Sequence, residues 1–267
     1  MGEIAYVMAV SMYELSKFII VQYKNLLSGC IKYIDYMMNE LEYYFYNNES
    51  RVIHKWDHYF EIYERYFRKY VNTTVNILEI GVQNGGSAEM WRRYFGYGCK
   101  VYGIDVDNRC KQFESEWMSV HIGDQADVNF LNRVKDMCPK FDIIIDDGGH
   151  RTEQMVVSFE SLFDHLKFGG TYLVEDLHCN YLPQFGGSIG TENSFNNYIR
   201  KLCDSYHLYS FNCVDNNIIK NINCIHAYES VMVIEKCLDK KVSKSLDRKS
   251  TRLNSSHVSE SRMPSSA

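Results

Sequence analysis

Two short apolar runs of this chain end in paired carboxylates. One reads Ile143-Ile144-Ile145-Asp146-Asp147-Gly148-Gly149-His150 and the other Tyr172-Leu173-Val174-Glu175-Asp176-Leu177-His178. Ligands of open α/β sheets bind outside the carboxyl ends of the strands. If the two runs are neighbouring strands, Asp147, Glu175 and Asp176 converge there. Three carboxylates in one place repel each other unless a cation neutralises them or they take up protons. A hard cation with oxygen ligands, most simply Mg²⁺, resolves that conflict. The alternative is that one acid of each pair turns away to cap a helix. His150 follows three residues after Asp147, beyond two glycines. A lone histidine is more often structural than catalytic, but at this position it could accept the proton of a substrate hydroxyl. His178 is a weaker candidate, for the lining of an acceptor pocket.

A second set of residues points to a nucleotide-like ligand. A strand-like run leads into Glu79-Ile80-Gly81-Val82-Gln83-Asn84-Gly85-Gly86-Ser87. A glycine loop between strand and helix lets a ligand approach the backbone at a helix N-terminus. The spacing is neither the G-x-G-x-x-G of a dinucleotide fold nor a P-loop. It fits the E-x-G-x-x-x-G loop of class I methyltransferases. Asp105 lies 24 residues past Gly81, at the end of the next strand-like run. A carboxylate there can accept hydrogen bonds from both hydroxyls of a ribose. After a further short strand, Asp124 or Gln125 could bond an adenine amino group. Taken singly, these glycines could be a tight turn and Asp124 a solvated loop residue; the series is what favours a cofactor.

The elements around these residues alternate. Strands are expected at residues 76–80, 100–104, 119–122, 142–145 and 171–174, with helices at 87–94, 128–137, 152–165 and 194–206. Phe168-Gly169-Gly170 reads as the close of the third of these helices. Such βαβα alternation argues a parallel sheet covered by helices on both faces. Further strands are expected at 209–214, 224–228 and 230–235, the last two as an antiparallel hairpin closing the sheet. Residues 56–70 form a helix with Tyr59, Tyr63, Tyr66, Phe67 and Tyr70 on one face, an aromatic stripe of the kind that is usually core. Residues 1–47 read as one or two helices, broken at Asn47-Asn48-Glu49-Ser50.

The chain of 267 residues is 45% hydrophobic and 24% charged, ordinary for a globule with a real core. A formal charge of −5 argues against a nucleic-acid partner. Nine cysteines without a C-x-x-C pair make zinc and disulfide scaffolds poor readings, and a reducing, cytoplasmic setting the simplest one. No signal peptide or membrane span is expected. Residues 247–267 lack apolar periodicity and resemble the conceptual translation of a sequencing adapter, so they carry no expectation of fold.

Residues 54–236 together resemble the metal-dependent sugar O-methyltransferases of the mycinamicin type, with the related cephalosporin-hydroxylase and rhamnosyl O-methyltransferase group. The matching pieces are His54-Lys55-Trp56, the Leu78–Ser87 loop, Gly103-Ile104-Asp105, Asp124-Gln125, Asp146-Asp147-Gly148-Gly149-His150, Glu175-Asp176-Leu177-His178, Ile225-His226-Ala227-Tyr228 and Val233-Ile234-Glu235-Lys236. The resemblance implies a Rossmann-like seven-stranded methyltransferase sheet, S-adenosylmethionine as cofactor and a glycosylated small molecule as acceptor. It implies Mg²⁺ on Asp147, Glu175 and Asp176, with His150 as base. Glu79, Gly81, Gly85, Ser87, Asp105, Asp124, Gln125 and Asp146 would then serve the cofactor, and His178 and Tyr181 the acceptor. Gly149 stands where serine is frequent in the family, and Cys179-Asn180 before Tyr181 departs from it in the acceptor loop. Residues 1–50 lie outside the match and are expected to be a helical extension with a role in a homo-oligomer. Residues 51–237 are expected to form the methyltransferase domain and 238–267 a tail, of which 247–267 is the adapter-like part. Ribose 2′-O-methylation of nucleic acid and a catalytically inactive cofactor-binding module remain as alternatives. The acidic balance argues against the first and the complete acid–histidine set against the second; a metal oxygenase lacks the two-histidine, one-carboxylate iron site it would need.

Overall fold

The computed structural model describes residues 39–189, 194–208 and 217–238. The expected strand at 209–214, the extension before residue 39 and the tail from 239 onward lie outside the described residues. Within 39–50 there is one helix, α1 (Glu40–Tyr46), begun by the Asn39 side chain accepting the Glu42 N–H at 2.9 Å.

Seven strands form one sheet in the order β3-β2-β1-β4-β5-β7-β6. They are β1 (Val75–Ile80), β2 (Cys99–Asp105), β3 (Met118–Ile122), β4 (Phe141–Asp146), β5 (Leu166–Val174), β6 (Ile222–Tyr228) and β7 (Val231–Lys236). The first five run parallel, and β7 is antiparallel to both β5 and β6. This is the Rossmann-like seven-stranded sheet that the resemblance implies. One face packs against α2 (Tyr59–Phe67) and α3 (Gly86–Phe95) through Tyr63, Phe67 and Trp91. The other packs against α4 (Val128–Met137), α5 (Thr152–Leu162) and α6 (Phe195–Leu208) through Leu131, Phe159 and Ile199. A short α7 (Asn217–Asn221) leads into β6. The central strands are buried on both faces, which is why they read as continuous apolar runs.

Two expectations need correction. Phe168-Gly169-Gly170 does not close a helix: α5 ends at Leu162, and the three residues lie inside β5. They occupy a bulge, since the β4–β5 register jumps from Phe141–Leu166 to Ile143–Thr171. The helix beginning near Trp56 starts only at Tyr59, leaving Trp56 half exposed. At the far side of the sheet the buried Lys236 donates to the carbonyls of Phe163, Asp164 and Leu166 at 3.0, 3.1 and 2.9 Å. Those carbonyls flank the turn that leads from the helix into β5, so the ammonium ties β7 to the start of β5.

Candidate active site

A cleft of about 570 Å³ opens at the carboxyl ends of β1, β2, β4 and β5. Its lining includes Gly81, Ser87, Asp105, Asp124, Gln125, Asp147, His150 and Asp176. The glycine loop is held from below. Gly81 has a φ of +93°, and a Cβ there would stand 2.0 Å from the Asp147 carbonyl oxygen. Only glycine allows this crossing of two strand ends. Asp105 fixes the rest of the loop: its Oδ2 accepts the N–H groups of Val82 and Gln83 at 3.0 and 2.9 Å, and its Oδ1 accepts the Asp107 N–H at 2.8 Å. With roughly four lone-pair sites on a carboxylate, Asp105 retains capacity for about one further donor.

Several residues expected at the cofactor lie outside the cleft lining or turn away from it. Glu79 is fully buried and accepts the Trp91 indole N–H at 3.0 Å, while its Oε2 has no hydrogen-bond partner. Burial holds its carboxyl above the ordinary range, against the pull of Lys55. Asp146 is also buried, held by the Gln125 amide at 2.9 Å and the Ser158 hydroxyl, and burial likewise raises its pKa. Gln125 accepts the Gly149 N–H at 2.8 Å with its other end. Its Oε1 lies where a Cβ on Gly148 would be, at 2.0 Å. Gln125 therefore braces the turn before His150, and of the adenine candidates Asp124 is the exposed one. Neither Glu79, Gly85 nor Asp146 lines the cleft.

The acidic cluster is assembled from three directions. β4 delivers Asp147 and β5 delivers Glu175 and Asp176, as neighbouring strands must. The third contributor is the segment around α2. Lys55, its side chain 2% exposed, places Nζ 2.6 Å from Asp147 Oδ2 and 2.7 Å from Glu175 Oε2. Tyr63 donates to Glu175 Oε1 at 2.7 Å, and Tyr59 to Asp176 Oδ1 at 2.7 Å. Burial alone would lower the Lys55 pKa, but the charges of Asp147 and Glu175 override it and keep the ammonium charged. Glu175 is raised by its own burial, with Asp147 adding repulsion and Lys55 opposing. One lysine thus does not neutralise the cluster.

Asp147, His150 and Asp176 each offer a ligating atom, and these atoms lie within 4.8 Å of one another. His150 Nε2 stands 3.6 Å from Asp176 Oδ2 and 4.0 Å from Asp147 Oδ1, and its buried Nδ1 has no partner. His150 and Asp176 both adopt positive φ, +56° and +54°. Left-handed backbone at non-glycine residues is costly, and such strain clusters at functional sites. The donor set fits a divalent cation: excess negative charge, oxygen atoms free of Lys55, and a nitrogen at the rim. Glu175 fits less directly, because both its oxygens already have partners. His178 Nδ1 pairs with Ser230 Oγ at 2.6 Å and its ring lies 5.3 Å from Trp56; Tyr181, 48% exposed, accepts from Asn196 at 3.0 Å. Neither lines the cleft.

The chain is 34% identical to the mycinamicin VI 2″-O-methyltransferase of Micromonospora griseorubida over 188 residues, 65% of this chain and 47% of that protein. It is 39% identical to the demethylmacrocin O-methyltransferase of Streptomyces fradiae over 47% of this chain and 33% of that protein. The chain is thus similar in sequence to sugar O-methyltransferases. The solved mycinamycin-pathway methyltransferase MycE, in complex with Mg, S-adenosylhomocysteine and mycinamycin VI, superposes with a TM-score of 0.65 at 30% identity, over 74% of this chain and 53% of that one. The chain thus spans about half the length of these relatives or less. No family model matches it.

Lys55, Tyr59 and Tyr63 are the site residues that sequence reasoning missed. Lys55 was visible only as part of a family-like tripeptide, and the tyrosines as a core stripe. Their hydroxyls carry the signal: two tyrosines four residues apart put both phenols on one helix face, where a phenylalanine pair would have served a plain core.

Proposed function

We propose that this chain transfers a methyl group from S-adenosylmethionine to a hydroxyl of a sugar or glycosylated small molecule, assisted by Mg²⁺. The observation that carries this reading is the convergence of Asp147, His150 and Asp176 on the cleft that the Gly81 loop and Asp105 also line. The glycine loop and Asp105 would hold the cofactor, with Asp124 at the base. Asp147 and Asp176, backed by Glu175, would hold the cation. A bound Mg²⁺ supplies Lewis acidity to the acceptor oxygen. His150 would take the acceptor proton as the methyl–sulfur bond breaks and the carbon–oxygen bond forms. Lys55 and Tyr63 keep Glu175 fixed, and Tyr59 keeps Asp176 turned toward the cleft. The relatives named above support a glycoside acceptor by their names alone. Among the described residues no helix is long and apolar enough to cross a membrane.

The test is methyl transfer to a panel of glycosides with and without chelator. Chelation should abolish turnover and leave S-adenosylhomocysteine binding by calorimetry nearly unchanged, and added Mg²⁺ should restore the rate. Full turnover in excess chelator would reject the cation. The grouping of His150 with the two aspartates favours a second reading, in which His150 is a ligand in place of Glu175. A His150→Ala variant separates the two: unchanged Mn²⁺ affinity with lost turnover supports the base, and weakened affinity supports the ligand.

A further inference from the structure

Sequence spacing made zinc a poor reading for this chain, but spacing along the chain says nothing about residues brought together across strands. On the β6–β7 ribbon, Cys224, His226 and Glu235 form a second cluster whose ligating atoms lie within 4.8 Å of one another. Cys224 Sγ is 3.0 Å from Glu235 Oε2 and 2.9 Å from His226 Nε2, and His226 Nε2 is 3.9 Å from Glu235 Oε2. None of the three lines the cleft.

The geometry comes from a bulge. Ile222 pairs with Lys236, yet Cys224 pairs with Glu235, so one extra residue enters β6 between them. Without it Asn223 would stand opposite Glu235. With it Cys224 takes that place, and His226, two residues on, shares the same face. That face is the one α2 covers. The Tyr66 ring lies 5.6 Å from the His226 ring, and Lys69 sits 3.8 Å from Glu235 Oε1, leaving Oε2 for the cluster. The three side chains are thus held by a sheet and a helix rather than by a loop.

We propose that Cys224, His226 and Glu235 form a thiophilic divalent-metal site, most simply for Zn²⁺, separate from the cation of the cleft. One sulfur, one imidazole nitrogen and one carboxylate oxygen suit zinc better than the oxygen-seeking Mg²⁺. Tetrahedral bonding at ordinary zinc distances puts ligand atoms about 3.3–3.6 Å apart, so shifts of about half an ångström accommodate the ion. A thiolate and a carboxylate balance its charge. Without metal the thiol keeps its proton, because burial and then Glu235 push its pKa up to about 12, and it donates to Glu235. On binding, the sulfur–proton bond breaks, the sulfur–metal bond forms and the proton leaves to solvent. Three protein ligands leave a fourth position for water. His226 is 43% exposed, so the position is open to solvent. The site would pin the edge strand β6 to β7.

Cobalt reads this site directly. The metal-stripped full chain, titrated with Co²⁺, should show a sulfur-to-cobalt charge-transfer band in the near ultraviolet. Cys224→Ser should abolish the band, while Cys179→Ser, which removes a thiol that feels the charges of Asp176 and Asp147, should leave it intact. X-ray absorption on the wild-type chain loaded with one equivalent of Zn²⁺ should find one sulfur neighbour at about 2.3 Å. Cobalt binding without a thiolate band, a band that survives Cys224→Ser, or zinc without a sulfur neighbour would each overturn the proposal.

Discussion

The two halves of the cleft treat carboxylates in opposite ways. In the β1–β2 half, Asp105 is met by three backbone N–H groups, all within 23 residues along the chain. In the β4–β5 half, Asp147 and Glu175 are met by side chains: Lys55 from 92 and 120 residues away, and Tyr63 from 112. A carboxylate held by nearby backbone keeps its setting when single side chains change. One held by a distant ammonium depends on the fold that brings the ammonium there. The first half is a local device and the second a tertiary one.

Each prediction strains that contrast. The largest effect belongs to the side-chain half: His150→Ala should lower single-turnover methyl transfer by about 10²–10⁴, with cofactor binding intact. A wild-type rate would remove His150 from the chemistry. Next, Lys55→Met should destabilise the fold by about 3–5 kcal/mol in urea melts, because the buried Glu175 and the partly buried Asp147 lose their cation. Adding Glu175→Gln should recover part of it, and a loss under about 1 kcal/mol would show that Lys55 is not what holds the cluster. In the backbone half, Asp105→Ala should weaken S-adenosylhomocysteine binding by about 1.5–3 kcal/mol in calorimetry. Its melting temperature should fall less than that of Lys55→Met; the reverse order would break the comparison.

The smallest effect concerns Glu79, buried between the halves. Burial keeps its carboxyl protonated to higher pH in the folded state than in the unfolded chain. Its contribution to stability is therefore full below the ordinary carboxylate pKa and is lost as pH rises through the folded value. Glu79→Gln should flatten the pH dependence of stability above the ordinary carboxylate pKa of about 4.5, by at most about 1.4 kcal/mol per pH unit. Parallel wild-type and variant curves would show that Lys55 already keeps Glu79 ionised.

The sheet was legible because its central strands are buried on both faces and read as apolar runs, each ending at a glycine or an acid. Val128–Met137 matches the expected helix residue for residue, since its N-cap, Asp127, and its apolar spacing lie in the sequence itself. The Gly169-Gly170 bulge was misread because a glycine pair looks the same at a helix end and inside a bulged strand. Asp146 and Glu79 were assigned to the cofactor because sequence shows that an acid ends or lines a strand, not toward which face it points.

By itself the sequence determined the order of strands and helices, the glycine loop, and which acids stand at strand ends. Those follow from local burial patterns and backbone conformations. Only the tertiary structure decided that Lys55, Tyr59 and Tyr63 hold the acids, that Gln125 serves the turn before His150, and that a bulge sets Cys224 against Glu235. These depend on contacts between residues far apart in the chain, and electrostatics and ligation act through distance in space, which spacing along the chain does not encode.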